Sequence, residues 1–310
     1  VSDELREDVR VFLRRISLIP TKPVEAGTPQ EAREAFVASA RRTDLPVGDL
    51  ATVGDFEIPG PVESMAARLF DARVARPEGP IVVWFHGGGF VTGGLDTHGG
   101  FAAQMARELD LPVVLVDYRL APEGPFPAPQ DDAEAAARWL ADNTMHLGLH
   151  VTGLVVGGDS GGGTLALVTV QALRDRPASV PVLAQIAFYP TTDESKTYPS
   201  VAQFGEGYLL TEKTRVWYRE HYRPERTNPR ASPLLGNLHG LPPTVIMTAS
   251  HDPVRDQGVA YAQKLQAARV PTTWLEAAGN VHAFVVLRKV IPSSQQDVSA
   301  ALAALRRYLP

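Results

Sequence analysis

Apolar residues recur every three to four positions at the start of the chain, then every second position, then in short unbroken runs. Each regime predicts a different element. Leu5, Val9, Phe12, Leu13 and Ile16 stand at helical spacing among charges, predicting a helix from Ser2 to Ile19 that stops at Pro20. Thr28-Pro29-Gln30-Glu31 is a capping box with proline at the first helical position, opening a second helix through Phe36 and Val37. Alternation over Asp55–Ile58 and Ala66–Asp71 predicts an antiparallel pair. Buried strands are then expected at Ile81–Phe85, Val113–Val116, Val151–Val156, Leu183–Phe188, Thr244–Thr248 and Thr272–Leu275. Between and after them lie helical patterns at Phe101–Leu109, Asp131–Leu140, Thr164–Leu173, Gly258–Ala268 and Asp297–Tyr308. That alternation means an α/β fold, a mostly parallel sheet with helices on both faces.

Residues 191–241 break the rhythm with a stretch rich in proline, tyrosine and charge that holds one clear helix, Thr211 to Tyr222. An excursion of that length between two strands reads as a lid or subdomain. The expected organisation is an N-terminal helical segment over 1–50, a sheet domain from 51–190 and 242–310, and an insertion over 191–241. From their pattern alone, the two N-terminal helices read equally as a plain helical pair or as a cover over a site on the sheet.

At 310 residues and 44% hydrophobic content the chain can bury a large core, roughly 75% of its unfolded surface. A formal charge of -5 leaves no basic surface for nucleic acid. The absence of cysteine excludes disulfides and thiolate metal sites. No apolar run approaches the roughly 18 residues of a membrane span and nothing resembles a signal peptide, so a soluble, cytoplasmic protein is expected. The chain opens on Val1 rather than Met, which leaves room for an upstream segment.

Candidate chemistry centres on Gly158-Asp159-Ser160-Gly161-Gly162, a G-x-S-x-G pattern between a predicted strand and helix. Such a turn lifts the serine clear of the sheet at the positive end of the helix, and needs neighbours without side chains. Two other readings compete: a plain glycine-rich connection, and a dinucleotide loop, since Gly161-Gly162-Gly163-Thr164-Leu165-Ala166 fits G-x-G-x-x-A. The second expects an acidic residue about 20 positions on, where Pro181–Ala187 is apolar with one glutamine. A serine nucleophile needs a base and an orienting carboxylate, at strand ends in the order Ser, Asp or Glu, His. Asp252 follows the strand Thr244–Thr248, and His282 sits on the loop expected after Thr272–Leu275. Asp256 falls in the first turn of the next helix, where a carboxylate commonly caps, and His251 points away from the site its neighbour Asp252 faces. Three glycines after the strand ending at Phe85, together with Gly161, can aim backbone N–H groups at a developing oxyanion. His86 lacks a ligand-spaced carboxylate and no H-E-x-x-H occurs, so no metal is expected, and no cofactor either. Phe90, Val91, Tyr189, Tyr208 and Leu209 are candidates to line a substrate pocket.

Taken together, His86-Gly87-Gly88-Gly89-Phe90, Asp117-Tyr118-Arg119-Leu120-Ala121-Pro122-Glu123, Gly158-Asp159-Ser160-Gly161-Gly162, Asp252-Pro253-Val254-Arg255-Asp256 and Val281-His282-Ala283-Phe284 resemble the hormone-sensitive-lipase-like (bacterial family IV) esterases of the α/β-hydrolase fold. The resemblance implies hydrolysis of small-molecule carboxylic esters through Ser160, Asp252 and His282, with the N–H groups of Gly88, Gly89 and Gly161 as oxyanion donors. It also implies a cap built from the N-terminal helices and the insertion, and homodimers through the edge strand at Thr272–Leu275. Two positions depart from the family pattern: Gly161 stands where alanine is usual, and Ala283 where glycine usually follows the histidine. A receptor on the same fold, or an amidase or carbamate hydrolase using the same residues, are the alternatives; a histidine in place at 282 argues against the receptor.

Overall fold

Each of the six apolar runs expected to be a buried strand becomes one, and with the antiparallel pair they assemble into one eight-stranded sheet. The computed structural model describes residues 4–20 and 22–310; Val1, Ser2, Asp3 and Thr21 lie outside the described residues, and with them the first two positions of the predicted first helix. In chain order the elements are α1 (Glu7–Ser17), α2 (Pro29–Thr43), β1 (Thr52–Pro59), β2 (Ser64–Asp71), β3 (Gly79–Phe85), α3 (Leu95–Leu109), β4 (Val113–Val116), α4 (Ala128–Asp142), β5 (Val151–Asp159), α5 (Gly161–Asp175), β6 (Val182–Phe188), α6 (Pro199–Phe204), α7 (Glu212–Tyr222), β7 (Thr244–His251), α8 (Arg255–Ala267), β8 (Thr272–Val281) and α9 (Ser294–Arg306). The strand order is β1-β2-β4-β3-β5-β6-β7-β8. Pairing is antiparallel between β1 and β2 and between β2 and β4, and parallel from β4 to β8. Apolar clusters cover both faces, as expected of strands read as continuous hydrophobic runs.

Two departures from the sequence reading concern the strand before His282 and the insertion. Strand β8 continues to Val281 instead of ending near Leu275, re-pairing with His251 after a register shift. The extension is held by a side chain of β7 and by Arg6: Gly279 N–H donates to Ser250 Oγ (2.8 Å), Arg6 N–H to Gly279 O (3.1 Å) and Arg6 Nε to Ala278 O (2.7 Å). His282 therefore follows directly on a strand end. The insertion holds two helices, the shorter being α6. Its hydroxyl-rich start is fixed from outside by Asp256, whose carboxylate accepts Ser200 N–H (2.9 Å).

Of the N-terminal helices, α1 docks on β8 and α2 on α3. α2 opens on the predicted capping box, with Thr28 Oγ1 accepting Glu31 N–H and Glu31 accepting Thr28 N–H. Arg33 of α2 donates to Val91 O (2.9 Å) and Ala121 O (2.8 Å), and forks onto Glu123. α1 packs Val9 and Phe12 with Val281, Leu287 and Ile291, and Tyr208 and Leu209 of the insertion join that cluster. Among the described residues no helix is long and apolar enough to cross a membrane.

One ion pair joins the end of α2 to the segment after His282. Arg288 donates from Nε and Nη2 to Asp44, both at 2.8 Å, with side-chain exposures of 0% and 4%. Removing one partner strands a charge in the interior, which costs about 3–5 kcal/mol. Asp44→Ala is expected to lower the unfolding free energy by that amount in urea titration, and Asp44→Asn by less.

Candidate active site

Strand β5 ends in glycines and an aspartate, so the chain can turn sharply into α5 with Ser160 at the apex. Ser160 has φ 52° and ψ -122°, a conformation an L-residue holds only where its surroundings enforce it. Its N–H donates to Phe188 O at 2.9 Å. The enforcing contact is at Gly162: a Cβ there would collide with the carbonyl oxygens of Phe85 and His86 at the end of β3. Ser160 is thereby placed at the N-terminal end of α5, where the helix dipole favours negative charge.

Three strand ends bring their side chains to this point. His282 Nε2 lies 2.8 Å from Ser160 Oγ, and His282 Nδ1 lies 2.6 Å from Asp252 Oδ2. Asp252 is fully buried, and its other oxygen accepts Val254 N–H at 2.9 Å, so both carboxylate oxygens are partnered. With Nδ1 facing the carboxylate, the neutral imidazole carries its proton there and leaves Nε2 as acceptor for the serine hydroxyl. The arrangement can remove a proton from Ser160 and return it to a leaving group.

Beside it runs the loop after β3. Gly88 has φ +124° and Gly89 φ +59°; at Gly88 only glycine adopts such a backbone without strain. The N–H groups of Gly88, Gly89 and Gly161 donate to no acceptor among the described residues. The Tyr218 ring of α7 lies over Gly89, where a Cβ would strike it. Burial pushes the Tyr218 phenol above its usual range, keeping it neutral.

The remaining sequence candidates divide. Phe90 is 7% exposed, stacks on Tyr222 of α7 (centroids 4.0 Å, planes 13° apart) and lies against Gly161, where an added methyl would come within 3.3 Å of its ring. Val91 is buried. Tyr189 is buried beneath the site with its ring centroid 4.6 Å from that of His282, and its hydroxyl oxygen faces Val285 N–H at 3.4 Å. Burial pushes its phenol well above the usual range. Tyr208 and Leu209 pack with α1, Tyr208 also against the His251 ring (5.3 Å). His251 has Ser250 Oγ at 2.9 Å from Nδ1, and Asp256 holds the start of α6. Ala283 takes the left-handed conformation, φ 63°, that a glycine would adopt without strain. The sequence reading passed over the Asp159 carboxylate, which accepts Gly87 N–H at 3.0 Å. Its position inside G-x-S-x-G was visible, but a side chain facing away from the reaction leaves no spacing signal. No group of three or more metal-ligating side chains occurs among the described residues.

Comparisons with known proteins agree on one lineage. A family described as having the α/β-hydrolase fold matches residues 82–286. Esterase LipI of Mycobacterium tuberculosis is 39% identical over 271 residues, covering 85% of this chain and 84% of that protein. Ethyl acetate hydrolase of Pseudomonas putida is 35% identical over 298 residues, covering 93% and 92%. Among solved structures, an ester hydrolase from the metagenome of Lake Arreo aligns with TM-score 0.93 at 34% identity, over 98% of this chain and 99% of that one. A thermostable Pseudomonas putida esterase aligns with TM-score 0.94 at 28% identity, over 100% and 99%.

Two substitutions test the backbone account. Gly162→Ala forces β3 and α5 apart and is expected to cost about 3 kcal/mol in chemical denaturation. Ala283→Gly removes left-handed strain and is expected to stabilise by about 1 kcal/mol in the same measurement.

Proposed function

The chain belongs to the α/β-hydrolase fold family, among its hormone-sensitive-lipase-like esterases, and is a carboxylic ester hydrolase; we propose that Ser160, His282 and Asp252 carry its reaction. The observation that supports this most is the imidazole of His282 within hydrogen-bond reach of Ser160 Oγ on one side and of buried Asp252 on the other. Ser160 Oγ attacks the ester carbonyl while His282 Nε2 takes its proton, and the Asp252 carboxylate stabilises the imidazolium that forms. The carbonyl oxygen, now negative, is received by the N–H groups of Gly88, Gly89 and Gly161; each such donor is worth roughly 2.7–4 kcal/mol of barrier. His282 then gives the proton to the leaving alcohol. Water, activated by the same imidazole, hydrolyses the acyl-enzyme.

The cover over the site supports short to medium acyl chains. Tyr218 rests on Gly89 and Tyr222 on Phe90, so α7 brings aromatic bulk down onto the oxyanion loop. The name of the Pseudomonas putida relative, an ethyl acetate hydrolase, points the same way. In this reading residues 1–50 and 191–241 form the cap: α1 and the turn at Tyr208-Leu209 share one apolar cluster.

The decisive assay uses p-nitrophenyl acetate, butyrate and octanoate with the parent protein and Ser160→Ala. Turnover is expected to fall by at least about 10³-fold in the variant, and labelling by a fluorophosphonate to disappear. Among the esters, the parent should favour acetate or butyrate over octanoate. Equal turnover by the two proteins ends the serine mechanism.

A further inference from the structure

We infer that Asp159 is a positioning residue for the oxyanion loop, acting with His98; the inference rests on the reading of Gly88 and Gly89 as oxyanion donors and deepens it. Asp159 closes β5 one residue before Ser160 and is 3% exposed. A carboxylate so placed is costly unless it is hydrogen-bonded, and the two groups it meets are informative. Oδ1 accepts the N–H of Gly87 at 3.0 Å, the first glycine of the loop that carries Gly88 and Gly89. Oδ2 lies 3.3 Å from Nε2 of His98, a residue of α3 that is 1% exposed. The approach is close enough that a Cβ on Gly87 would run into Oδ2.

His98 is held on its other side by Thr97. Thr97 Oγ1 lies 2.8 Å from His98 Nδ1 and accepts Gly94 N–H at 3.0 Å. The same hydroxyl reaches Gly94 O at 2.9 Å, and Gly87 N lies 3.3 Å from His98 Nε2, so the ring closes a compact polar cluster with Asp159 and the Gly87 N–H. The Gly87–Gly88 peptide is gripped at its far edge as well: its carbonyl oxygen is 2.8 Å from His86 Nδ1. In a planar peptide the Gly88 N–H points opposite to that carbonyl. Fixing Gly87 by its own N–H and by its carbonyl therefore fixes the direction of the Gly88 N–H. Asp159 contributes the first of these from the strand that also carries Ser160, so nucleophile and oxyanion donor are referenced to one rigid point. Contacts from outside, Tyr118 Oη to His86 O (2.6 Å) and Arg33 Nε to Val91 O (2.9 Å), hold the flanks of the loop.

A residue acting this way affects the transition state and leaves substrate binding alone. With p-nitrophenyl butyrate, Asp159→Ala is expected to lower kcat by about 10²-fold with KM little changed. Asp159→Asn, which keeps an acceptor for Gly87 N–H, should recover most of that loss, and His98→Ala should lie between them. The telling readout is an alkyl trifluoromethyl ketone, whose carbonyl carbon is attacked by Ser160 Oγ to leave an oxyanion in the same place as the ester's. Its inhibition constant should weaken in step with kcat/KM across the variants. Unchanged inhibition beside a reduced kcat/KM, or an Asp159→Ala protein within twofold of the parent, overturns the inference. If Asp159→Ala does not fold, the same comparison on Asp159→Asn and His98→Ala decides it. Ser160→Ala, measured alongside, separates the two levels. Parental turnover there removes the serine mechanism itself, whereas its loss together with an indifferent Asp159 removes only this inference.

Discussion

The backbone of Gly162 presses against the carbonyl oxygens of Phe85 and His86, and the rest of the proposed reaction centre is arranged around that contact. It joins the end of β3 to the start of α5 with no room for a side chain between them. Ser160 is held at positive φ because the chain has no other way to leave β5 and enter α5 at that separation. The loop beginning at His86 starts from the same place, so the proposed nucleophile and the proposed oxyanion donors share one origin. Two positions that depart from the usual family residue adjust around this block. An alanine methyl at Gly161 would crowd the Phe90 ring at 3.3 Å, and Ala283 carries left-handed strain on the far side of His282.

Long-range side-chain contacts then fix what the sheet alone would leave loose. Arg33 reaches from α2 to the backbone beyond the glycine loop, and Arg6 reaches from before α1 to the strand end that delivers His282. Arg6 also forks onto Asp297, which in turn accepts from Asn280 Nδ2. The Arg288–Asp44 pair closes the ring from behind. All three arginines act through fixed, planar donor sets that bind several acceptors at once, a geometry lysine does not offer.

The strands and the candidate side chains were readable because both follow local rules. Continuous apolar runs become buried strands, and Ser160, Asp252 and His282 each stand just past one. The exit of β8 was misread for a physical reason: Ala278-Gly279-Asn280 looks like a loop, and is held as strand by Arg6 and Ser250, which lie far away in sequence. The single helix expected in the insertion left out α6, whose six residues are too few to show a period. Side-chain direction was the other gap. Tyr189 is an aromatic next to the site in sequence, yet a positive φ of 35° turns it under His282, and Phe90 at φ 63° turns inward onto Tyr222. No pattern of residue types encodes those two backbone reversals. Asp159 was hidden in the same way, lying inside the most legible motif of the chain with its carboxylate aimed at the motif's neighbour.

The grip of the leading segment on the strand before His282 sets an order of failure on heating. The sheet is held by two large apolar clusters, whereas the strand end before His282 is tied in addition by polar contacts between pieces of chain nearly three hundred positions apart. Such ties loosen in local openings that leave the core intact. Warmed gradually, the enzyme would then fall silent while its ellipticity still reported a folded molecule, and cooling would restore it without refolding.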